Sequence, residues 1–194
     1  MSRKIAVVIG NGESRKEIDL NELVGQAKLY GCNALYRDFS KLDYLIAMDD
    51  GMIEEIQTRL PLKGTQAVFP PEEERYELSG SGKRNNAGMI AMEESIKHGH
   101  DFIYCIGFDF IEKASDGNNN VYNGTENYGP ETRASRSDHF ARLKYFDWYA
   151  SQRPNVIFCF VMPDNLIEND RIRTFVSTNI LAMKTSTFLR KVRE

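Results

Sequence analysis

Apolar residues along this chain form short continuous runs that alternate with segments of helical spacing. The run from Ile5 to Ile9 is apolar at every position, which is typical of a central strand covered on both faces. Runs at 102–106 and 156–161 predict two more core strands, whereas 86–98 carries small and apolar residues at helical spacing. Because strands alternate with helices, the sequence predicts an α/β fold with a mainly parallel sheet.

Proline and polar residues set the limits of the remaining predicted elements. Pro70 and Pro71 end one strand, because proline cannot continue a central strand. Ser14 is suited to cap the helix after the first strand, and Asp19 is the alternative for a later start. The other predicted elements are strands at 26–33, 42–48 and 65–69, helices at 15–25, 52–59 and 140–150, a polar loop at 72–82, and a helix and a strand between 166 and 188.

Residues 112–138 form the most unusual stretch of the sequence, rich in Asn, Gly, Asp and Ser. A polar loop of this length inside a compact domain is uncommon, and it is usually either functional or disordered. We therefore predict a long polar active-site loop within a single domain that spans residues 1–194. The side chains that stand out in this loop are Tyr122, Tyr128, Arg133 and Arg136.

Polar residues and glycines directly follow several of the predicted strands. Parallel strands end at the same edge of a sheet, where open α/β sheets bind ligands, so these ends are expected to lie close together. The alternative is ordinary turn chemistry, because Asn, Asp and Gly end strands in many proteins. The strand ends are Gly10-Asn11-Gly12, Asn33, Asp49-Asp50-Gly51, Gly107-Phe108-Asp109 and Pro163-Asp164-Asn165.

The glycine turn after the first strand is a candidate anion site. Gly10 and Gly12 permit close backbone approaches, and Asn11 between them carries an amide that both donates and accepts. With Ser14 at the start of a helix, free N–H groups and the positive helix end would point at one spot. The alternative is a corner without a ligand. The turn lacks the third glycine of a dinucleotide fingerprint, and residues 79–83 lack the spacing of a P-loop.

Composition narrows the class of protein further. Apolar residues make up 41% and charged residues 27%, as in an ordinary globular chain, and the net charge of −3 argues against nucleic acid as a partner. Cys32, Cys105 and Cys159 lie in apolar surroundings without C-x-x-C spacing, which predicts buried thiols in a reducing compartment. No signal peptide and no apolar run of ~18 residues is found, so we expect a cytoplasmic protein without an integral membrane segment. A homo-oligomer remains open.

Three blocks of the sequence resemble the small bacterial sialyltransferases that use CMP-sialic acid. The first is G-N-G-E-S at 10–14 with K-E-I-D-L and G-C-N-A-L-Y after it; the second is 86–110; the third is the turn 163–165. The same blocks also resemble the Rossmann-like domain of motility-associated glycosylation factors and pterin diphosphokinases. Both resemblances imply a Rossmann-like, three-layer α/β/α fold that binds a nucleotide.

The sialyltransferase resemblance implies a glycosyltransferase. Its donor would be a nucleotide sugar carrying CMP, and its acceptor a glycan or a small molecule with a hydroxyl group. No cofactor or metal is required in that scheme. The residues implied in binding are Gly10, Asn11 and Gly12 near the phosphate and ribose, Asn33 near nucleotide or sugar, Asn86 and Gly88 on the cytidine side, Asp109 near base or ribose, and Tyr122 and Tyr128 at the leaving phosphate. Arg133 or Arg136 would help to stabilise that phosphate, and Ser14 and Asp49 are further candidates for nucleotide or substrate binding.

The sequence departs from this family's pattern at three positions. Glu13 replaces the usual proline of the first turn, and Asn86-Ala87-Gly88 replaces a serine–glycine pair. The family's catalytic histidine aligns near Ala134, so His139 is the available general base. The alternative for His139 is an ordinary residue at a helix start.

Two other functions stay open at this stage. One is a Mg-dependent phosphotransferase of the pterin diphosphokinase type, in which Asp49, Asp50 and Asp109 would bind the metal, since hard cations prefer oxygen ligands. The other is a nucleotide-binding protein that has lost its catalytic activity, which the missing histidine favours.

Overall fold

Seven parallel strands form one sheet in the computed structural model, which describes residues 3–76, 85–111, 120–129, 135–165 and 174–193. The order across the sheet is β4-β3-β2-β1-β5-β6-β7, and every neighbouring pair is parallel. The predicted α/β class with a parallel sheet is therefore confirmed. The strands are β1 Ile5–Ile9, β2 Lys28–Cys32, β3 Tyr44–Ile46, β4 Gln66–Val68, β5 Phe102–Ile106, β6 Ile157–Met162 and β7 Ile180–Lys184.

Helices cover both faces of this sheet. The α-helices of the described residues are α1 Asp50–Gln57, α2 Glu72–Tyr76, α3 Ala87–Lys97, α4 Arg136–Ser151 and α5 Thr185–Arg193. Short 3₁₀ helices lie at Glu13–Glu17, Leu20–Leu23, Asn33–Arg37 and Asp109–Ile111. The side chain of Asn86 caps α3 by accepting from the Met89 N–H (3.1 Å), and Ser135 and Asp138 form a capping box at the start of α4.

The two faces of β1 bury their side chains in different hydrophobic clusters. Val8 packs with residues of α3 and α4, whereas Val7 packs with residues of α1, α5 and the first 3₁₀ helices. Both side chains are almost fully buried. Successive side chains of a strand point to opposite faces, so a run that is apolar at every position requires cover on both sides. The structure thus has three layers, as the sequence predicts.

The order of the strands reverses between β1 and β5, and this reversal creates a crevice at their carboxyl ends. The chain moves outward from β1 to β4 and then returns to place β5 beside β1. Gly10 N–H donates to the Ile106 carbonyl (2.8 Å), and Gly12 N–H donates to the Gly107 carbonyl (2.9 Å). A Cβ on Gly10 would lie 2.6 Å from the Gly107 oxygen, so this approach requires glycine.

The segment after β1 differs from the helix predicted at 15–25. Two 3₁₀ helices, 13–17 and 20–23, occupy it. Ser14 lies inside the first of them and caps nothing, so its predicted role as a helix cap is wrong. Asp19, the alternative cap, accepts from the Asn21 N–H (3.0 Å) at the start of the second. The side chain of Ser14 bonds Asp109 instead, which holds the chain close to β5.

Two further predictions of irregular structure need correction. Residues 72–76 of the predicted loop at 72–82 form α2, where three glutamates occupy the first turn, a favourable place for negative charge. Helix α4 begins at Arg136, so the predicted loop at 112–138 does not extend to residue 138. Its middle part, 120–129, is a series of tight turns. Arg133 lies outside the described residues.

No helix in the described parts of the chain combines the length and the apolar character needed to cross a bilayer.

Candidate functional site

The carboxyl ends of β1, β2 and β3 are linked by two asparagine side chains. Asn11, after β1, donates from Nδ2 to the Cys32 carbonyl at the end of β2 (3.1 Å). Asn33, directly after β2, donates from Nδ2 to Asp49 Oδ2 after β3 (2.9 Å). The structure therefore brings three of the predicted strand ends together at one edge of the sheet.

Tyr128 joins this group from the segment 120–129. Its hydroxyl accepts from Asn11 Nδ2 (3.4 Å), and its side chain is buried. Burial raises the pKa of Tyr128 to about 12, so the hydroxyl keeps its proton at neutral pH and can donate it in a hydrogen bond. The start of the segment is fixed to the same turn, because Val121 N–H donates to the Asn11 carbonyl (2.8 Å).

Two amide oxygens of this group are buried and lack a hydrogen-bond partner among the described residues. They are Asn11 Oδ1 and Asn33 Oδ1, and each belongs to an amide whose nitrogen is bonded to protein. A buried acceptor without a donor costs about 1–3 kcal/mol. Asn33 also has a φ of 49°, a conformation that costs energy in a non-glycine residue and is concentrated at functional sites. We call Asn11, Asn33 and Tyr128 the asparagine–tyrosine cluster.

Asp109 occupies the place where the sequence predicts a bound anion. Its buried carboxylate accepts from Ser14 Oγ (2.5 Å) and from the Ser14 N–H (3.2 Å). Burial raises the pKa of Asp109, and the hydrogen bonds from Ser14 oppose that rise. The N–H groups of Gly10 and Gly12 are also bonded to carbonyls, so these two groups are not the free donors that the sequence predicts. The turn binds a carboxylate of its own chain.

The hydroxyl of Tyr122 bonds residues outside the asparagine–tyrosine cluster. Its hydroxyl donates to Asp38 and accepts from Arg15 Nη2 (2.8 Å), and burial raises its pKa. Arg15 is 5% exposed and also bonds Asp38 Oδ2 (3.0 Å). The sequence analysis missed Arg15, because nothing in a sequence marks a charged residue as buried, and with it missed its partner Asp38, which is about half exposed.

A second polar group that the sequence analysis missed surrounds Glu55 of α1. The Glu55 carboxylate accepts from Tyr36 Oη, from Arg37 Nε (2.8 Å) and Nη2, and from Asn127 Nδ2 (2.8 Å). Burial would raise the pKa of Glu55, but hydrogen bonds from Arg37, Tyr36 and Asn127 outweigh it and lower the pKa to about 2. We call these four residues the Glu55 cluster. A weak signal existed in Asn127, since asparagine tolerates the φ of 63° that it adopts.

The start of α3 provides the predicted cytidine-side residues. Helix α3 packs against β1, β2 and β3 and leads down to the start of β5, so Asn86 and Gly88 lie at the carboxyl edge. Asn86 Nδ2 is buried and has no hydrogen-bond partner among the described residues. A Cβ on Gly88 would lie 2.7 Å from Phe108 Cζ, so glycine permits this contact between helix and strand end.

His139 lies in the first turn of α4, on the β5 side of the crevice. Helix α4 packs against the 3₁₀ helix 109–111 and leads down to the start of β6, which places its first turn at the carboxyl edge. Arg136 begins the same helix. Asp164 at the end of β6 instead accepts from the Ser186 N–H (3.0 Å) in α5, so this strand end has a structural bond.

The three aspartates predicted as metal ligands have separate protein partners. Asp49 bonds Asn33, Asp109 bonds Ser14, and Asp50 pairs with Arg75. Within the described residues, no group of three or more His, Cys, Asp or Glu side chains is arranged to hold a metal ion. The ligand set expected for the phosphotransferase is therefore not assembled there.

Two solved structures show the same fold. The sialyltransferase CstII from Campylobacter jejuni, in complex with a CMP-containing substrate analogue, has a TM-score of 0.50 and 14% identity over 92% of this chain and 87% of that chain. A variant of CstII in complex with CMP has a TM-score of 0.50 and 14% identity over 91% and 87%. At this identity the similarity establishes the fold. No family model matches the chain, and no curated protein sequence matches it significantly.

Proposed function

We propose that this protein is a sialyltransferase-like glycosyltransferase that binds a CMP-activated sugar and transfers the sugar to a hydroxyl group. The observation that carries the proposal is the pair of buried amide oxygens, Asn11 Oδ1 and Asn33 Oδ1, at the carboxyl ends of the neighbouring strands β1 and β2. Buried acceptors of this kind require donors, and ribose hydroxyls, sugar hydroxyls and the cytosine amino group are such donors. The shared fold with CMP-bound CstII supports the same class of ligand.

The asparagine–tyrosine cluster would bind the donor substrate. Asn11 and Asn33 would accept hydrogen bonds from hydroxyl or amino groups of the nucleotide sugar. Tyr128, whose hydroxyl stays protonated, would donate to a phosphate oxygen. Asn86 Nδ2 would donate to an acceptor atom on the cytidine side, with Gly88 leaving space for the ring of Phe108. Gly10 and Gly12 would serve by close packing, since their N–H groups are used within the protein.

The proposed reaction is a displacement at the anomeric carbon of the sugar. The oxygen of the acceptor hydroxyl forms a bond to that carbon, the bond from carbon to the phosphate oxygen breaks, and CMP leaves with the electron pair. His139 would take the proton of the acceptor hydroxyl as general base. Tyr128, with Arg136 and Arg133, would stabilise the negative charge on the departing phosphate. Asp49 would orient Asn33 through their hydrogen bond.

A titration with CMP, with and without Mg²⁺, tests the donor site. CMP at ~100 times its Kd stabilises the fold by about 2.7 kcal/mol, which corresponds to a rise in Tm of about 5–10 °C for a domain of this size. We expect this rise with CMP and no change when Mg²⁺ is added. A rise with ATP and Mg²⁺ but not with CMP would contradict the proposal and favour the phosphotransferase.

Two matched tyrosine variants locate the site. Tyr128→Phe should weaken CMP binding by about tenfold, the loss expected for one hydrogen bond to a charged group. Tyr149→Phe removes another buried hydroxyl, which bonds Glu93 in the layer of α3 and α4, and should leave CMP binding unchanged. Equal affinities in both variants would exclude Tyr128 from the donor site.

Asn33→Gly tests the other half of the cluster. Glycine adopts the φ of 49° without strain, so this variant removes the amide while keeping the backbone. We expect weaker CMP binding, with a loss of stability of about 1 kcal/mol from the lost hydrogen bond to Asp49. For the transfer itself, hydrolysis or transfer from CMP-sialic acid is measured in wild type and in His139→Ala; unchanged rates in the variant would remove His139 as the base.

A further inference from the structure

The carboxylate of Glu55 is fully used within the protein, although it lies near the candidate site. Its side chain is 8% exposed and accepts from Tyr36, from two nitrogens of Arg37 and from Asn127. A carboxylate has about four lone-pair positions, and these bonds occupy them. Glu55 therefore has no capacity left for a ligand, and any role in binding must act through the residues that it holds.

Those residues hold three consecutive positions of the segment 120–129. Arg37 Nη1 donates to Thr125 Oγ1 (2.9 Å), and Arg37 Nη2 donates to the Glu126 carbonyl (3.1 Å). Asn127 donates from Nδ2 to the Gly51 carbonyl (3.3 Å) as well as to Glu55. Every one of these contacts depends on a side chain that Glu55 fixes.

The next residue along the chain is Tyr128, whose hydroxyl meets Asn11 in the asparagine–tyrosine cluster. Asn127 has a φ of 63°, so the chain reverses its direction immediately before Tyr128. The backbone conformation of Asn127 thus sets the direction in which the Tyr128 ring points. Asn127 is bonded to Glu55 directly, which connects α1 to the position of the Tyr128 hydroxyl.

The first half of the segment is held by other residues. Val121 N–H bonds the Asn11 carbonyl, and the Tyr122 hydroxyl bonds Asp38 and Arg15. Tyr122 contacts both halves, because Thr125 donates to its carbonyl and Arg37 lies over its ring. The bond from Val121 to Asn11 involves neither Glu55 nor its partners. Loss of the Glu55 contacts should therefore release residues 125–128 and leave Val121 in place, which distinguishes positioning from a general loss of structure.

We propose that Glu55 is a positioning residue: through Arg37 and Asn127 it fixes the second half of the segment 120–129, and it thereby sets the position of the Tyr128 hydroxyl in the donor site. The part about the donor site rests on the proposed function. Because Tyr128 is already held in place, binding a nucleotide would cost less conformational entropy.

The test uses Asn127→Gly and Glu55→Gln in the full chain. Asn127→Gly removes both side-chain hydrogen bonds and keeps the positive φ, so the backbone stays without strain. Glu55→Gln keeps the size of the side chain and removes its charge. Glu22→Gln is the control, since Glu22 also binds an arginine through two bonds but lies far away, beside Arg193.

Hydrogen exchange of the segment and affinity for CMP are measured in each variant. We expect exchange of residues 125–128 to become about tenfold faster in Asn127→Gly and in Glu55→Gln, with exchange of the Val121 N–H, which is bonded to Asn11, unchanged. CMP affinity should fall by about tenfold in both variants, and the control should match wild type in both measurements. Unchanged exchange at 125–128 would overturn the proposal, and so would faster exchange with unchanged CMP affinity.

A third measurement separates this proposal from the proposed function. If wild type binds no CMP, the proposed function fails. The signal of the Asn11 side-chain amide then decides the role of Glu55, since Asn11 Nδ2 donates to the Tyr128 hydroxyl. A shift of that signal in Asn127→Gly but not in Glu22→Gln supports positioning of Tyr128, and no shift contradicts it.

Discussion

Ser14 and Asp109 form a hydrogen-bonded pair that links the segment after β1 to the segment after β5. Ser14 Oγ lies 2.5 Å from Asp109 Oδ1, and the Ser14 N–H donates to Oδ2 at 3.2 Å. The carboxylate is buried, and its serine partner supplies both a side-chain and a backbone donor. The glycine turn thus binds a carboxylate of its own chain.

The variant Ser14→Ala should destabilise the protein by about 1–3 kcal/mol, because Asp109 stays buried with one donor fewer. Urea unfolding at pH 7 measures this loss. Ser40→Ala, at an exposed serine, is the control and should change the free energy of unfolding by less than about 0.5 kcal/mol. Equal stability of the two variants would show that the bond between Ser14 and Asp109 contributes nothing.

Gly10→Ala should be strongly destabilising because the new Cβ would lie 2.6 Å from the Gly107 carbonyl oxygen. The two strand ends would have to separate, at a cost of about 3 kcal/mol. Gly25→Ala is the comparison: its φ is 82° and no atom lies within 4 Å of the added Cβ, so only the backbone strain of about 1 kcal/mol remains. Thermal unfolding of both variants checks the order, and a smaller loss for Gly10→Ala than for Gly25→Ala would contradict the close approach.

Glu55 should make the stability of the protein depend on pH in the acid range. The folded protein lowers the pKa of Glu55 from its ordinary value of 4.5 to about 2, so the stabilisation is present above pH 4.5 and is lost as the pH falls toward 2. A shift of this size corresponds to about 3 kcal/mol, which partial solvent access reduces to about 2 kcal/mol.

Unfolding curves of wild type and Glu55→Gln at several pH values test this dependence. The variant should be less stable at pH 7, and the difference should shrink as the pH falls below 4.5. Glu22→Gln, in an exposed ion pair, should show a smaller difference across the same range. A difference between wild type and Glu55→Gln that stays constant from pH 7 to pH 3 would exclude the charge of Glu55 as its cause.

The sequence predicted the fold where local pattern decides it. The apolar run at 102–106 is the strand β5, residue for residue, and the glycines after β1 lie where two strand ends meet. Asn11 and Asn33 were correctly expected at one edge, because parallel strands share a direction. The helix at 15–25 was wrong, since a tertiary bond from Ser14 to Asp109 overrides the local preference for a cap.

The polar groups that support the site could not be predicted from the sequence. Arg15 and Glu55 are buried by partners that lie far away along the chain, and a charged residue is ordinarily exposed. Tyr122 and Tyr128 are two tyrosines of the same polar segment, and only the three-dimensional structure shows that their hydroxyls have different partners. One hydroxyl bonds the ion pair of the buried Arg15 with the half-exposed Asp38, and the other enters the asparagine–tyrosine cluster.

Phenylalanine variants of these two tyrosines should therefore affect different properties: the variant of Tyr122 mainly the stability, and the variant of Tyr128 mainly the affinity for CMP. The Tyr122 hydroxyl donates to Asp38 and accepts from the buried Arg15, and Tyr122→Phe removes both bonds. The variant should therefore have a free energy of unfolding lower by about 2 kcal/mol. Tyr128→Phe loses the long bond from Asn11 (3.4 Å) and weaker interactions with Asn33 and the Ala34 backbone, none of which involves a charged partner, so it should reduce the stability less and the affinity for CMP more. Urea unfolding and a CMP titration on the same preparations measure both quantities. If Tyr122→Phe weakens CMP binding as much as Tyr128→Phe while keeping full stability, Tyr122 contacts the ligand directly and its bonds to Arg15 and Asp38 are exchanged on binding.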